Sequence, residues 1–462
     1  MKGWVFAGVL WVGLTVSAQI NVGRGAPQRL YMTHCAVCHG ERGQGAIGSS
    51  LIDGTWTHAH TDAERAAVIR DGLPDFNKEG FAERLTEQEI RALVVYMHEL
   101  QTLAAEDPPP RPQDGVVETE LRSYRMETIF TSEGRMWGMD FLPDGRKVVT
   151  EIDGVLRVLS ADGSSTEVIR NSPQVVRHGQ GGLLDVAVHP AYADNGWIYL
   201  SFADGAGRNS MTAVVRGRIR EGVWVDEEEI FRAREADRRT AGTHFGSRIV
   251  LRDGYVFFTV GDRGAQQTAQ DLNLPYGKVF RLHDDGRVPE DNPFVGRTRY
   301  PGIWSYGHRN PQGLAWRPGT EELWSTEHGP RGGDELNLIV RGENYGWPEV
   351  THGINYNGTP ITEETEREGM KSPHWHWTPS IAVCGMAFVR GGLFPEWEGD
   401  LLVGGLRSEV VERLRVGPEG LEAREVILQG QGRVRDIRSG PEGALYLILE
   451  GRGSRLVRLH PL

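Results

Sequence analysis

The residues with the most specific chemical pattern lie near the start of the chain, in the stretch HCAVCHG. Cys35 and Cys38 are separated by two residues, and His39 follows the second cysteine directly. Two thiols at this spacing can form thioether bonds with a haem while the histidine binds its iron. A disulfide between the same cysteines is the alternative, but the adjacent His39 favours haem attachment. A haem held in this way usually carries single electrons, so the rest of the chain should supply them.

The residues around this motif predict a small all-α domain at positions 24–103. Two amphipathic segments open with Thr61 and Thr86, and each has a glutamate three residues later, the pattern of a capping box at the start of a helix. The segment APQRLYMTHCAVCHG predicts an earlier helix that leads into the haem motif. Three helices around one haem resemble a class I cytochrome c, and the resemblance covers the whole domain.

The motif does not identify the second axial ligand of the iron. Class I cytochromes c usually take it from a methionine in the loop before the last helix, but the corresponding stretch GLPDFNKEGF contains none. Lys78 occupies the expected position. His58 and His60 lie in an earlier loop and are also candidates, whereas Met97 falls within the last predicted helix, where a core position is favoured.

The first 18 residues, MKGWVFAGVLWVGLTVSA, combine Lys2, an apolar run and small residues before a cleavage position, which is typical of a signal peptide. We therefore expect a periplasmic or secreted protein. The run is shorter than the roughly 20 apolar residues of a spanning helix, and no later segment is long and apolar enough to span, so an integral membrane protein is not expected. The alternative is that the segment stays uncleaved as an N-terminal anchor. The net charge of −12 argues against a nucleic-acid partner. The third cysteine, Cys384, is expected to be a small buried residue.

A proline-rich linker is predicted at 104–118, because consecutive prolines in AEDPPPRPQDG favour an extended spacer. Such a linker keeps the cytochrome nearby without fixing its orientation. From residue 119 to 462, six segments repeat one pattern of two alternating apolar runs joined by a Pro, Gly or Asp turn. Repeated units long enough for four strands each predict a mainly β fold, a six-bladed β-propeller. The early strand 123–132 is predicted to complete the last blade.

The polar motifs of these repeats stand just before the first strand or just after the second. Since both positions lie at the same end of a hairpin, the motifs should converge on one face of the ring. They include His244, Arg309, Asn310, Arg407, Arg433 and Arg435. Arginines suit an anion with several carboxylates or phosphates. A histidine among them would be held neutral, and could therefore accept a proton.

Longer motifs in the same region resemble the glucose/sorbosone dehydrogenase family, the soluble quinoprotein aldose sugar dehydrogenases. The resemblance spans residues 121–460 and rests on QGGLLDVAVHP, HFGSRIV, YGHRNPQGLAW, EHGPRGGDELNLIVRGENYGWP and GRVRDIRSGPEG. It implies a propeller that binds pyrroloquinoline quinone (PQQ) and calcium and oxidises the C1 hydroxyl of an aldose sugar to a lactone.

The resemblance also implies roles for individual residues. His244 matches the general base that takes the C1 hydroxyl proton while hydride passes to the quinone. The positions that match cofactor-holding residues are Gln180, Asn310, Arg407, Arg433 and Arg435. The backbone carbonyls of Gly329 and Pro330 match the calcium ligands. Arg263 departs from the family, which has a glutamine or another polar residue there, so this position does not predict a cofactor contact.

The two halves together predict an enzyme that oxidises a sugar and passes the electrons to its own haem, and then to an acceptor that the sequence does not identify. Two other functions remain open at this point. A calcium-dependent propeller lactonase would need acidic metal ligands in the channel and no haem. A non-catalytic sugar-binding propeller would not need a histidine within a ring of arginines.

The missing loop methionine predicts a spectroscopic signature. The ferric haem should lack the methionine–iron charge-transfer band, and its reduction potential should be lower than with methionine ligation. Absorption spectra and a redox titration of the purified chain measure both. Met97→Leu, a volume-conserving core change, should leave the spectrum unaltered. A methionine–iron band that disappears in Met97→Leu would contradict the prediction.

Overall fold

The computed structural model describes residues 26–40, 42–45, 48–52, 58–73, 78–104, 115–356 and 358–462. The predicted signal peptide lies outside the described residues, as do positions 105–114 of the predicted linker. Within the described part of the chain, no helix is both long enough and apolar enough to cross a membrane.

The N-terminal unit is built from helices and one two-residue ladder. Its elements are α1 (Ala26–His34), α2 (Ala36–His39), α3 (Asp62–Asp71), β1 (Gly72–Leu73), β2 (Lys78–Glu79) and α4 (Glu87–Ala104). Thr61 and Glu64 form the predicted capping box at the start of α3. Thr86 and Glu89 exchange the same two hydrogen bonds before α4, at 2.9 and 3.2 Å. The predicted helical unit is thus confirmed.

The core of this unit lies between α1 and α4. One stripe of α4 is buried here and contacts Tyr31 of α1 and Leu51 of the following loop. The stripe consists of Ile90, Leu93, Val94, Met97 and Leu100. Spacings of three and four residues place these side chains on one helix face. Met97 is 6% exposed, in agreement with the predicted core position.

The described residues from 115 onward form six antiparallel sheets. In five of them the strands follow the order of the chain, whereas the sixth combines the last three strands with the first two. The chain first forms β3 (Val116–Val117) and β4 (Tyr124–Ser132). Blade 1 contains β5 (Met136–Phe141), β6 (Lys147–Glu151), β7 (Val155–Leu159) and β8 (Thr166–Ile169). Blade 2 contains β9 (Leu183–Val188), the short helix α5 (Tyr192–Asn195), β10 (Ile198–Ala206), β11 (Asn209–Arg220) and β12 (Val223–Phe231). Blade 3 contains β13 (Ile249–Arg252), β14 (Tyr255–Val260), β15 (Lys278–His283) and β16 (Ile303–Tyr306).

Blades 4 to 6 continue the pattern. Blade 4 contains β17 (Pro311–Trp316), β18 (Leu323–Glu327), β19 (Asp334–Ile339) and β20 (Trp375–Trp377). Blade 5 contains β21 (Val383–Phe388), β22 (Leu401–Gly405), β23 (Val410–Gly417) and β24 (Gly420–Gln429). Blade 6 contains β25 (Arg433–Ser439), β26 (Leu445–Gly451) and β27 (Gly453–Pro461). Each of the six predicted hairpins forms the first two strands of one blade. The first strands of successive blades contact one another around the ring, including β25 against β5. The six-bladed propeller is confirmed.

The N-terminal strand closes the ring. β4 pairs antiparallel with β27, from Ser132 opposite Ser454 to Tyr124 opposite Pro461, as predicted for the 123–132 segment. β3 adds a fifth strand beyond β4, so Val116 and Val117 of the predicted linker segment belong to the last sheet.

Four charged side chains join the innermost strands inside the channel. Arg248 lies 3.1 Å from Asp185 and 2.8 Å from Asp436 and is only 2% exposed. Arg438 pairs with the same two carboxylates at 3.0 and 3.2 Å. Asp185 belongs to β9, Arg248 directly precedes β13, and the other two residues belong to β25. We call these four residues the channel cluster; it connects blades 2, 3 and 6.

Candidate active site at the propeller mouth

His244 lies in the loop before β13, with a backbone φ of 53°. This left-handed conformation is uncommon for a residue other than glycine and signals a locally constrained backbone. The amide of His244 donates to Oε1 of Gln180 at 2.7 Å, which joins two of the predicted site residues. The His244 side chain is 17% exposed, so it is accessible from the mouth.

Asp262 orients the His244 ring. Nδ1 of His244 lies 2.7 Å from Oδ1 of Asp262, and the indole Nε1 of Trp347 donates to Oδ2 at 2.8 Å. With the Nδ1 proton donated to the carboxylate, Nε2 is the nitrogen that can accept a proton. Burial, and then the nearby Arg309 guanidinium, lower the pKa of His244, although Asp262 opposes them. The imidazole is therefore neutral at pH 7.

Asp262 remains ionised in spite of its complete burial. Burial alone would raise the pKa of Asp262, but the hydrogen bond from His244, the charge of Arg309 and the amide of Gly264 lower it overall. Asp262 was not among the residues predicted from the sequence to form the site. Its signal was the motif GDRG directly after β14, where an acidic residue follows the second strand of the blade.

Arg263, the position that departs from the family, faces inward. Its guanidinium lies 3.5 Å from the centre of the Phe245 ring and donates to the backbone carbonyls of Thr243 and Ala241. Arg263 is fully buried, and this burial lowers the pKa of its side chain to about 9. Arg263 thus fixes the loop that carries His244.

Arg309 and Asn310 come next in the ring. Oδ1 of Asn310 accepts from the amide of Gly246 at 3.1 Å, and Nη1 of Arg309 donates to the carbonyl of Gly329 at 2.7 Å. The Arg309 guanidinium also lies 5.3 Å from the centre of the Trp347 ring. Nε of Arg309 is buried and has no hydrogen-bond partner among the described residues.

Gly329 and Pro330 form a tight turn after β18. The amide of Gly329 donates to Asp334 at 2.9 Å, and a Cβ at Gly329 would overlap the carbonyl of Gly333. Burial raises the pKa of Asp334 to about 6, although Ser380 and backbone amides donate to it. No cluster of three or more His, Cys, Asp or Glu side chains suited to a metal occurs in the described part of the chain. The candidate calcium ligands of this turn are backbone carbonyls.

Three further arginines stand on the same face. Arg435 lies 2.6 Å from Glu450, and Arg433 lies 3.5 Å from the same carboxylate. Arg407 follows β22, with its side chain exposed and its amide bound to the carbonyl of Ile381 at 3.0 Å. A polar cleft of about 360 Å³ opens between blades 6 and 1. Its lining includes Arg135, Arg177, Arg433 and Glu450.

His328, a second histidine of the mouth, was also not among the predicted site residues. Its side chain is partly buried, and burial together with Arg309, Arg435 and His244 holds its pKa well below 6.5. Its Nε2 has no hydrogen-bond partner among the described residues. The only sequence signal was its position directly before Gly329 in the motif EHGPRGGDE. The predicted buried position of Cys384 is confirmed, with its sulfur 3.6 Å from Nη1 of Arg435.

The mouth fits the cofactors implied by the sequence. Arg309, Arg407, Arg433 and Arg435 place four guanidinium groups on this face, and Glu450 lies against two of them, so positive charge remains to bind an anion. Buried polar atoms without partners, Nε of Arg309 and Nε2 of His328, can be satisfied by a bound polar molecule. The turn at Gly329 and Pro330 offers carbonyl oxygens, the ligands that calcium prefers.

The haem motif lies at the junction of α1 and α2. Cys35 and Cys38 do not form a disulfide. Nδ1 of His39 lies 2.7 Å from the carbonyl of Ser49, so Nδ1 carries the proton and Nε2 is the nitrogen suited to iron. Gly48 packs against the ring, because a Cβ there would lie 3.0 Å from it. These features fit a covalently attached haem.

The four candidates for the second axial ligand have different environments. Met97 is in the core, whereas His58 and His60 are exposed. The backbone of Lys78 belongs to β2, but its side chain lies outside the described part of the structure.

Comparisons with known proteins agree with this architecture. The family model of Glucose / Sorbosone dehydrogenase matches residues 134–458, and that of Cytochrome C oxidase, cbb3-type, subunit III matches residues 25–97. The chain is 39% identical to aldose sugar dehydrogenase YliI of Escherichia coli K12 over 334 residues, 70% of this chain and 90% of that protein. It is 26% identical to quinoprotein glucose dehydrogenase B of Acinetobacter calcoaceticus, over 77% of this chain and 91% of that protein.

A solved structure shows the same fold. The PQQ-bound form of an aldose sugar dehydrogenase from Streptomyces coelicolor superposes with a TM-score of 0.61 at 26% identity, and the match covers 77% of this chain and all of that one. A family match over most of the propeller, together with a separate match over the haem-binding unit, establishes the affiliation of both halves. The chain therefore belongs to the glucose/sorbosone dehydrogenase family and carries an N-terminal cytochrome c domain.

Proposed function

We propose that this protein is an exported quinoprotein dehydrogenase that oxidises the C1 hydroxyl of aldose sugars to lactones with PQQ and calcium. The electrons pass to the haem on the same chain. The observation that carries the proposal is the pair formed by His244 and Asp262, a neutral imidazole with its Nδ1 held by a buried carboxylate at 2.7 Å. Attachment of a c-type haem and the N-terminal segment support a location outside the cytoplasm.

The reaction removes the C1 hydrogen with its two electrons and the hydroxyl proton from each sugar. PQQ, when bound, supplies the acceptor for the hydride. His244 accepts the hydroxyl proton at Nε2, and Asp262 stabilises the imidazolium that forms. Arg309 contributes by keeping the imidazole neutral before the reaction. The base is thus prepared by burial, by one neighbouring cation and by one fixed anion.

The other mouth residues are suited to binding rather than to proton transfer. Asn310 and Gln180 are hydrogen-bonded to the loop of His244, so they place a bound cofactor relative to the base. Arg407, Arg433 and Arg435 provide the positive charge for its carboxylates. The carbonyls of Gly329 and Pro330 would hold calcium, which polarises an oxygen of the cofactor.

Reconstitution tests the proposal directly. Apoprotein with attached haem is mixed with PQQ and Ca²⁺, and haem reduction is followed by stopped flow after addition of an aldose. We expect aldose-dependent reduction with a rate constant that does not change on dilution of the protein, because both sites are on one chain. Lactone hydrolysis without haem reduction would indicate a lactonase. Sugar binding without reduction would indicate a binding propeller, and a rate that falls with dilution would indicate transfer between molecules.

Removal of the base should abolish turnover but not cofactor binding. His244→Ala removes the imidazole, and loss of a positioned base lowers the rate by about 10²–10⁴-fold. Because residue 244 has a φ of 53°, His244→Asn is the better variant, since asparagine tolerates this conformation. Steady-state kinetics with a dye acceptor and a fluorescence titration with PQQ measure the two effects. Near-normal turnover in His244→Asn would refute the assignment.

Asp262 should control the pH dependence. His244 acts as a base only when neutral, so turnover should fall as the pH decreases through its lowered pKa, below 6.5. Asp262→Asn removes the anion that raises this pKa, so the acid limb of kcat should move to lower pH. The value of kcat should also fall, because the ring loses its fixed orientation. Asp253→Asn, an exposed change in the β13–β14 turn, is the control. An unchanged acid limb in Asp262→Asn would contradict this role.

A further inference from the structure

Two faces of helix α4 make packing contacts. The first is the stripe from Ile90 to Leu100 that lines the core of the cytochrome unit. The second consists of Gln88, Arg91, Ala92, Val95 and Glu99, again at helical spacing. This second face lies against the propeller, so α4 separates the haem-binding core from blade 4 and its loops.

The centre of the contact is apolar. Ala92 and Val95 pack on Ile354, and the three side chains are between 0 and 3% exposed. At the start of α4, Gln88 lies 3.3 Å from Glu363 and Arg91 donates to the carbonyl of Thr362 at 3.2 Å. The cytochrome therefore has a defined seat, in contrast to the unfixed orientation expected from the linker.

A largely buried ion pair completes this contact near the far end of α4. Glu99 accepts two hydrogen bonds from Arg331, at 2.8 and 2.6 Å, and the two side chains are 16% and 6% exposed. Two oxygens facing two guanidinium nitrogens form the bidentate geometry that fixes orientation as well as distance. Arg331 also shares two backbone hydrogen bonds with Ile354, at 2.9 and 3.0 Å. The polar and apolar halves of the seat are thus one rigid unit.

Arg331 places this contact next to the candidate cofactor site. Arg331 directly follows Gly329 and Pro330, the candidate calcium ligands, in the same turn. Its partner Glu99 is two residues from Met97, in the wall of the haem-binding core. The ion pair therefore joins the turn at the quinone site to the helix that lines the haem site, with no other element between them.

We propose that Glu99 and Arg331 are a positioning pair that holds the haem unit against the cofactor turn for electron transfer within the chain. This inference rests on the proposed function. Each sugar oxidised releases two electrons, and ferric haem takes one at a time to become ferrous. A one-electron acceptor outside the chain must therefore reoxidise the haem twice per turnover. Because electron transfer slows steeply with distance, the seated position sets the rate.

Charge reversal tests the pair. In Glu99→Arg holoenzyme, aldose-driven haem reduction in stopped flow should slow at least about tenfold, because the loss of one partner of a buried ion pair weakens a contact by more than that factor. Turnover with a soluble dye, which takes electrons at the mouth, should be unchanged. The double variant Glu99→Arg with Arg331→Glu should restore fast haem reduction. Glu83→Lys, an exposed change before α4 with a comparable change of charge, should have no effect.

A second measurement does not depend on activity. Small-angle scattering should show a larger radius of gyration for Glu99→Arg than for the wild-type chain, and recovery in the double variant. If Glu99→Arg fails to fold, the milder Glu99→Gln should show the same slowing to a smaller extent. Haem reduction at the wild-type rate in both Glu99 variants would overturn the inference. Absence of dye turnover in the wild-type holoenzyme would instead refute the proposed function.

Discussion

The channel cluster is the constraint on which the geometry of the mouth depends. Arg248 pairs with two buried carboxylates, and its remaining nitrogens donate to the backbone carbonyls of Arg435 and Gln312, both at 2.7 Å. These bonds extend the connection to blade 4. Removal of one partner of such a buried set costs about 3–5 kcal/mol, because the other charges lose their compensation. The innermost strands are thus fixed relative to one another before any cofactor binds.

The channel cluster is connected by hydrogen bonds to the loop that carries His244. Nε2 of Gln312, whose carbonyl is held by Arg248, donates to the carbonyl of Gly246 at 2.9 Å. Gly246 lies two residues after His244, and its amide is bound by Asn310. The left-handed backbone at His244 costs about 1–3 kcal/mol. The surrounding contacts, including the buried guanidinium of Arg263, sustain this conformation. The ion pairs of the channel cluster therefore help to fix the orientation of the His244 imidazole.

Features decided by neighbouring residues could be predicted from the sequence, whereas contacts between distant segments could not. Alternating apolar residues and turn residues predicted all six hairpins and the closing strand, because strand pairing within a hairpin is decided by neighbours in the chain. Convergence of His244, Gln180 and Asn310 followed from the topology and the family resemblance. Asp262, Arg263 and His328 stood in motifs that were noticed, but their burial and direction depend on packing between blades. Glu99 and Arg331 are 232 residues apart, and no periodicity connects them.

The location of the cytochrome on blade 4 has a consequence for access to the propeller mouth. In a ring of six blades, blade 4 lies opposite blade 1, and the polar cleft of about 360 Å³ opens between blades 6 and 1. The cytochrome unit therefore contacts the side of the ring that lies opposite this cleft. Under the proposed function, a sugar would enter and a product would leave through this cleft while the cytochrome unit keeps its contact with blade 4. Substrate exchange and electron transfer would then take place on opposite sides of the ring and could proceed at the same time.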